Sequence, residues 1–185
     1  MAIEEPGYVV KSKVGSYEIR KYGPVLVAET RVEADFERAG NQAFRILASY
    51  IFGANKSKVK IAMTAPVSQA AASEKIAMTA PVTQSKEPSG YLVQFTMPKK
   101  YTLDTLPTPD DPRVHLQQLT PRKIAVYRYS GSWSEEHYQE KLQDFTEGLK
   151  RDRVETVGEP ALARFDSPFQ LWFLRRNEIW IELKN

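Results

Sequence analysis

The sequence predicts an α+β fold in which a curved, barrel-like antiparallel sheet carries two helices. Three observations lead there. Two stretches place apolar residues at helical spacing, one from Phe36 to Ile51 and one from Tyr138 to Leu149. Short alternating segments bounded by Gly and Pro flank both. The order strand, strand, helix, strands then occurs twice, on either side of a segment (98–112) that holds four prolines.

The elements follow in order. Residues 1–16 read as a loosely attached arm. Residues 17–22 alternate, Gly23-Pro24 turns the chain, and residues 25–32 are rich in β-branched side chains, so the two segments read as paired strands. Asp35 is placed to cap a helix, because its carboxylate can accept from first-turn amides. Phe36, Gly40, Ala43, Phe44, Leu47 and Ile51 form that helix's apolar face, and Gly53 is placed to stop it.

An octapeptide follows twice without change, as Lys60-Ile-Ala-Met-Thr-Ala-Pro-Val67 and Lys75-Ile-Ala-Met-Thr-Ala-Pro-Val82. Each copy alternates like a strand, and Pro66 and Pro81 must lie where a strand is an edge or is ending, since proline cannot donate to a ladder. Residues 91–97 form a further strand. After the 98–112 connector, residues 114–119 and 123–129 read as strands separated by a turn at Pro121. Ser132 and Glu135 have capping-box spacing for a second helix with Tyr138, Leu142, Phe145 and Leu149 on its apolar face. Residues 161–165 and 177–183 close the pattern. The chain therefore divides as one domain over 1–185, with a first half at about 17–97, the connector 98–112, and a second half at 113–185, each half β-β-α-β-β.

Length and composition limit the chemistry. A chain of 185 residues buries most of its apolar surface without covalent staples. It has no cysteine, so disulfides, thiolate metal sites and cysteine nucleophiles are excluded, and a reducing compartment, the cytoplasm, is expected. Met1-Ala-Ile-Glu-Glu-Pro-Gly lacks the basic start and apolar run of a signal peptide, and no apolar run approaches the ~20 residues of a membrane helix. The net charge is +3, from 26 Lys+Arg against 23 Asp+Glu, with the basic residues in small scattered groups. That is a solvated surface rather than a nucleic-acid face. A soluble monomer with neither nucleic-acid nor membrane partner is expected.

Catalytic motifs are missing. There is no glycine pair two apart for a dinucleotide or kinase loop, no Walker loop and no Gly-x-Ser-x-Gly elbow. The two histidines, His115 and His137, are far apart and form no His-Glu-x-x-His pattern. The acidic pairs Glu4-Glu5, Asp110-Asp111 and Glu135-Glu136 fall in an arm, a loop and a helix start, where solvation and the helix dipole account for them. The expectation is a binding protein, not an enzyme.

Four segments taken in sequence order carry a resemblance: Lys60–Val67 in the octapeptide; residues 91–98 with Tyr101-Thr-Leu-Asp-Thr-Leu-Pro107; Tyr129-Ser-Gly131; and Arg175-Arg-Asn-Glu-Ile-Trp180. From about Tyr17 to the C-terminus the chain resembles the SOUL haem-binding family. The resemblance implies a distorted antiparallel β-barrel with two flanking helices, built from two pseudo-symmetric halves. It also implies kinship with the gyrase-inhibitor-like effector-binding domains. The implied function is non-catalytic carriage of haem or a related porphyrin, held without covalent attachment in a shallow apolar groove beside the first helix. The alternative is an effector-binding module for other planar hydrophobic molecules. An enzyme acting on tetrapyrroles or small electrophiles is a third reading, lacking a visible nucleophile or metal cluster.

On that reading Phe36, Ala39, Ala43, Phe44, Leu47 and Met63 line the slot, with Phe169, Leu171 and Trp172 opposite on a proline-led loop. An amphipathic stripe packs on a sheet as readily as it lines a slot. Aromatics crowded on a loop point more strongly to a partner. Positions that offer basic residues to the propionates in the family's animal members are here Asn41, Ser49 and Gln170, so Arg45, or else Arg38 or Lys56, is the candidate cation. His or Met is the usual axial donor to haem iron, and neither histidine lies on the first helix, so the metal ligand is left open. The Arg175-Arg-Asn-Glu178 cluster reads as an ion-pair network at the start of the last strand, and the effector-domain kinship makes Glu178 a groove candidate.

Overall fold

The structure is a computed structural model and describes residues 3–58, 72–167 and 169–184. Among the described residues, eleven strands and two α-helices follow one another: β1 (Tyr8–Val14), β2 (Tyr17–Tyr22), β3 (Val25–Val32), α1 (Phe36–Ile51), β4 (Asn55–Lys56), β5 (Val82–Glu87), β6 (Gly90–Thr96), β7 (Thr108–Pro109), β8 (His115–Leu119), β9 (Arg122–Tyr129), α2 (Glu135–Arg151), β10 (Thr156–Arg164) and β11 (Asn177–Leu183). Nine of the strands form one antiparallel sheet in the order β1-β2-β9-β11-β10-β5-β6-β3-β8, and β4 pairs with β7 separately.

The α+β class is as expected, but the sheet is not a closed barrel. β1 and β8 are its two edges and do not pair. The sheet curves instead, so that Tyr22, Arg122 and Trp180 come round to face Val25, Val27 and Leu119 across a narrow gap. Strand twist produces such coiling, whereas closure also needs complementary edges. The pairing expected across Gly23-Pro24 is absent as well. β2 pairs with β1 and β9, while β3 pairs with β6 and β8, so Gly23-Pro24 sends the chain across the sheet instead of closing a hairpin. β8 and β9, the two strands expected on either side of Pro121, also join different partners, β8 pairing with β3 and β9 with β2 and β11. The supposed loose arm is stitched down: β1 adds to the edge, Glu4 bridges Thr79, and Glu5 pairs with Arg176 at 3.0 Å.

Both helices start as short-range chemistry dictates. Asp35 caps α1 through its side chain, accepting from the Arg38 amide at 2.9 Å. α2 is capped by Ser134 rather than Ser132; Ser134 Oγ accepts from the His137 amide, and Ser132 hydrogen-bonds Ser134 instead. Gly53 stops α1 in a left-handed conformation, φ 125°.

Ala39, Ala43, Leu47, Tyr50 and Ile51 of α1 pack with Ala28, Val93, Phe95 and Leu106 in one core. Tyr138, Phe145 and Leu149 of α2 pack with Tyr17, Ala125, Leu162, Ile179 and Ile181 in a second. A third cluster, Tyr22, Ile124, Val126, Ala163, Phe165 and Trp180, is built from the alternate residues of those same central strands. β9 and β11 are therefore buried on both faces, which explains their near-continuous apolar sequence. The first octapeptide copy lies outside the described residues. In the second, Ile76 and Ala80 are buried, and Pro81 immediately precedes β5, a strand the sequence pattern did not predict.

Candidate functional site

One flank of α1, at the border of its contact with the sheet, lines a cleft of about 500 Å³. One wall is Gly40, Asn41, Phe44 and Phe52 of α1 and its end; a second is Met78–Val82; a third is the exit of β10, Arg164–Ser167, with Phe169 beyond it. Trp133 and Ile3 complete the lining. The walls are held from behind. Ile76 N–H donates to Ile51 O at 2.8 Å, fixing the second wall beside the end of α1. Phe44 packs on Phe95, ring centroids 5.5 Å apart. Trp133 Nε1 donates to Asn177 Oδ1 at 2.7 Å, and Asn177 Nδ2 donates to Gly131 O at 3.1 Å, so the indole is oriented by a buried strand residue.

Arg164 brings a charge into this apolar setting. Its Nη2 donates to Gln84 Oε1 at 3.0 Å, and Gln84 is fixed in turn by donating to Phe36 O at 2.7 Å. The guanidinium lies over the Trp133 ring, 5.2 Å from its centroid, and Arg175 lies over the same ring at 4.2 Å. Burial, reinforced by the charge of Arg175, pushes the Arg164 guanidinium down to about 10, so it is still a cation at neutral pH. Among the described residues no carboxylate lies within ion-pair distance of it, and its Nε–H has no hydrogen-bond partner. Asp166, the other charged lining residue, accepts from the Arg176 amide.

Of the side chains picked from sequence, the structure brings Phe44 and Phe169 to the cleft, Phe169 at 95% exposure. Phe36, Ala39, Ala43 and Leu47 do not line it. They are buried against the sheet, with Phe36 stacked on Tyr138 at 5.1 Å, because the inward face of an amphipathic helix is the one the core takes. Leu171 and Trp172 are exposed outside it; Trp172 borders a separate hollow with Ser130–Ser132 and His137. Arg45 is exposed and absent from the lining, as are Arg38, which pairs with Asp35 at 2.8 Å, and Lys56. Met63 lies outside the described residues. His115 and His137 are also away from the cleft, which leaves Met78 as the His or Met side chain among its described lining residues.

Glu178, the groove candidate, is fully buried elsewhere. Its Oε1 accepts from Arg176 Nε (3.1 Å) and Nη2 (2.9 Å), and its Oε2 from Arg20 Nη1 (2.9 Å) and Trp180 Nε1 (2.7 Å). All of its acceptor capacity is used in holding β11 to β2 and the arm, which matches the ion-pair reading of the cluster. Sequence reasoning missed Arg164, Trp133, Phe52 and Met78. Gly40 carried a signal: an interior helical glycine costs about 1 kcal/mol against alanine, and this one lets a guanidinium approach.

A family model described as SOUL heme-binding protein matches residues 3–182. The chain is 30% identical over 190 residues to heme-binding protein 2 of Homo sapiens, a match covering 100% of this chain and 88% of that protein. Heme-binding protein 2 of Mus musculus is likewise 30% identical over 191 residues, with the same coverage. Among solved structures, the EcmrR C-terminal domain superposes with a TM-score of 0.62 at 9% identity, over 91% of this chain and 97% of that one. A hydrolase from Listeria innocua superposes with a TM-score of 0.60 at 10% identity, over 94% of each. At those identities the shared property is the fold.

Proposed function

Because the chain belongs to the SOUL heme-binding protein family, we propose that it binds and carries haem or a related tetrapyrrole, non-covalently and without chemical change, in the cleft beside α1. The observation that carries this reading is the cleft itself: about 500 Å³, walled by Phe44, Phe52, Met78 and Phe169, with one cation and a fixed indole at one end. That size falls within the ~300–1,000 Å³ of small-molecule sites. The donor set fits the group. Flat apolar walls suit a macrocycle, Arg164 suits a carboxylate substituent, and the Met78 sulfur is of a type that ligates haem iron. Bound haem would supply redox or gas-binding iron; the residues described here bind, orient and shield it.

Binding rather than turnover is favoured by the lining. Its hydroxyls, on Thr79 and Ser167, have no histidine beside them among the described lining residues. Among the described residues, no helix is long and apolar enough to cross a membrane. A cytoplasmic monomer, one domain made of two related halves, is the corresponding proposal for the whole chain. The strand order supports the duplication, because exchanging β2 with β8, β3 with β9, β5 with β10 and β6 with β11 reverses the order of those eight strands onto itself.

Titration with hemin tests the function. A saturable Soret shift at one equivalent is the expected result, and a spectrum indistinguishable from hemin in buffer rejects it. The second reading, a site for other planar hydrophobic effectors, draws on the same aromatic walls. It predicts selective thermal stabilisation by non-porphyrin ligands with none by porphyrins.

A further inference from the structure

The geometry points to Arg164 as an anion anchor that selects carboxylate-bearing flat ligands and fixes which way they lie in the cleft. This inference rests on the proposed binding function and names the chemical class that the site prefers. The first observation is that the guanidinium is present in an apolar cleft without a counter-charge. Of its N–H groups only Nη2 has an acceptor among the described residues, the neutral Gln84 amide. Arg164 is partly buried, with its Nε enclosed, and a guanidinium so placed ordinarily takes a carboxylate, because desolvation is costly without a paired charge. The depressed affinity for its proton has the same origin.

The second observation is that the fold makes room for the group at that spot. A Cβ on Gly40 would stand 2.7 Å from Nη1, 3.2 Å from Nη2 and 3.0 Å from Gln84 Oε1. The side chain missing from α1 is thus the one that would displace the guanidinium. The buried Tyr129 hydroxyl, also without a hydrogen-bond partner among the described residues, is close enough to feel the Arg164 charge. Trp133 lies 5.2 Å from the guanidinium carbon and Gln84 accepts from its Nη2, so both contact the group. Asp166, the nearby acid, is occupied by the Arg176 amide and opposes an incoming anion less than a free carboxylate would.

The third observation is the polarity of the cleft. Gly40, Asn41, Trp133 and Arg164 cluster towards the N-terminal half of α1, whereas Phe52 closes the other end. The twelve steps from Gly40 to Phe52 span about 18 Å along the helix axis. A macrocycle with acids on one edge and hydrocarbon on the other is matched end to end: carboxylate on Arg164, ring on Phe44 and Phe169, apolar edge towards Phe52.

The test compares metal-free mesoporphyrin with its dimethyl ester by fluorescence anisotropy, on the full chain and on Arg164→Met, Arg164→Lys and Gly40→Ala. The wild type is expected to prefer the acid by about tenfold or more, the worth of a charge-assisted bond. Arg164→Met should abolish that preference while leaving ester binding intact, and Arg164→Lys should restore part of it, since lysine keeps the charge but not the fork. Gly40→Ala should weaken acid binding more than ester binding, because the added Cβ displaces the guanidinium, while alanine's helix preference offsets part of the cost of the clash. Equal wild-type affinity for acid and ester, or undiminished acid binding by Arg164→Met, overturns the anchor and leaves the carrier function standing. Failure of the wild type to bind either porphyrin overturns both.

Discussion

Glu178→Gln separates a structural acid from a ligand-facing one. The carboxylate is fully buried and accepts four hydrogen bonds, two on each oxygen. A glutamine of the same shape keeps one acceptor oxygen and turns the other into an NH2 donor. Either amide orientation then points that donor at two others, the paired nitrogens of Arg176 or the Arg20 and Trp180 pair. Arg20 also loses its buried partner, keeping only the Glu18 pair at 2.9 Å on its half-buried side. Breaking a buried pair from one side costs about 3–5 kcal/mol. For a chain of this length that is a fall in melting temperature of about 6–20 °C. Differential scanning calorimetry and urea unfolding of wild type and variant measure it. Porphyrin affinity, measured well below the transition, should fall by no more than about threefold, because Glu178 has no atom on the cleft and reaches it only through Arg176, whose amide holds Asp166. A melting temperature within about 3 °C of wild type would refute the network as a stability element. An affinity loss with unchanged stability would return Glu178 to the ligand.

Three further outcomes follow from single contacts. Phe169→Ala should leave stability within about 0.5 kcal/mol, since the ring is 95% exposed, yet weaken porphyrin binding by about fivefold, a combination that calorimetry plus titration resolves. Gly90→Ala should lower stability by well over 1 kcal/mol in urea unfolding, because φ is 135° and the new Cβ would stand 2.1 Å from Val32 O, a backbone atom that cannot move aside cheaply. Removing residues 1–7 deletes Ile3 from the cleft wall, the half-exposed Glu5–Arg176 pair and the Glu4 acceptors of the Ala80 and Lys99 amides; stopped-flow transfer of haem to apomyoglobin should show faster release, with a loss of about 1–3 kcal/mol in stability.

How much of the site was legible depended on whether its residues shared a local pattern. Phe44 and Phe169 were found because one sits on a helical stripe and the other on a loop too aromatic for solvent. Phe36, Ala39, Ala43 and Leu47 belong to the same stripe as Phe44 but point about one helix face away, into the core. Periodicity gives the breadth of an apolar face and does not say where sheet contact ends and cleft begins. Arg164 sits in Ala161-Leu-Ala-Arg-Phe165, where it reads as one polar residue of a strand. Its significance comes from Gly40, Gln84 and Trp133, which are 124, 80 and 31 positions away in the chain.

By itself the sequence determined the two helices, the caps at Asp35 and Gly53, the α+β class and the family, because each is written in neighbouring residues or in segments that keep their order. The tertiary structure alone decided strand partners, the open edges at β1 and β8, the saturation of Glu178 and the placing of an uncompensated cation in the cleft. Turns such as Gly23-Pro24 set a change of direction but not a destination. The destination is chosen by which distant strands bury both faces of β9 and β11 at once, and that choice exists only when the whole sheet is assembled.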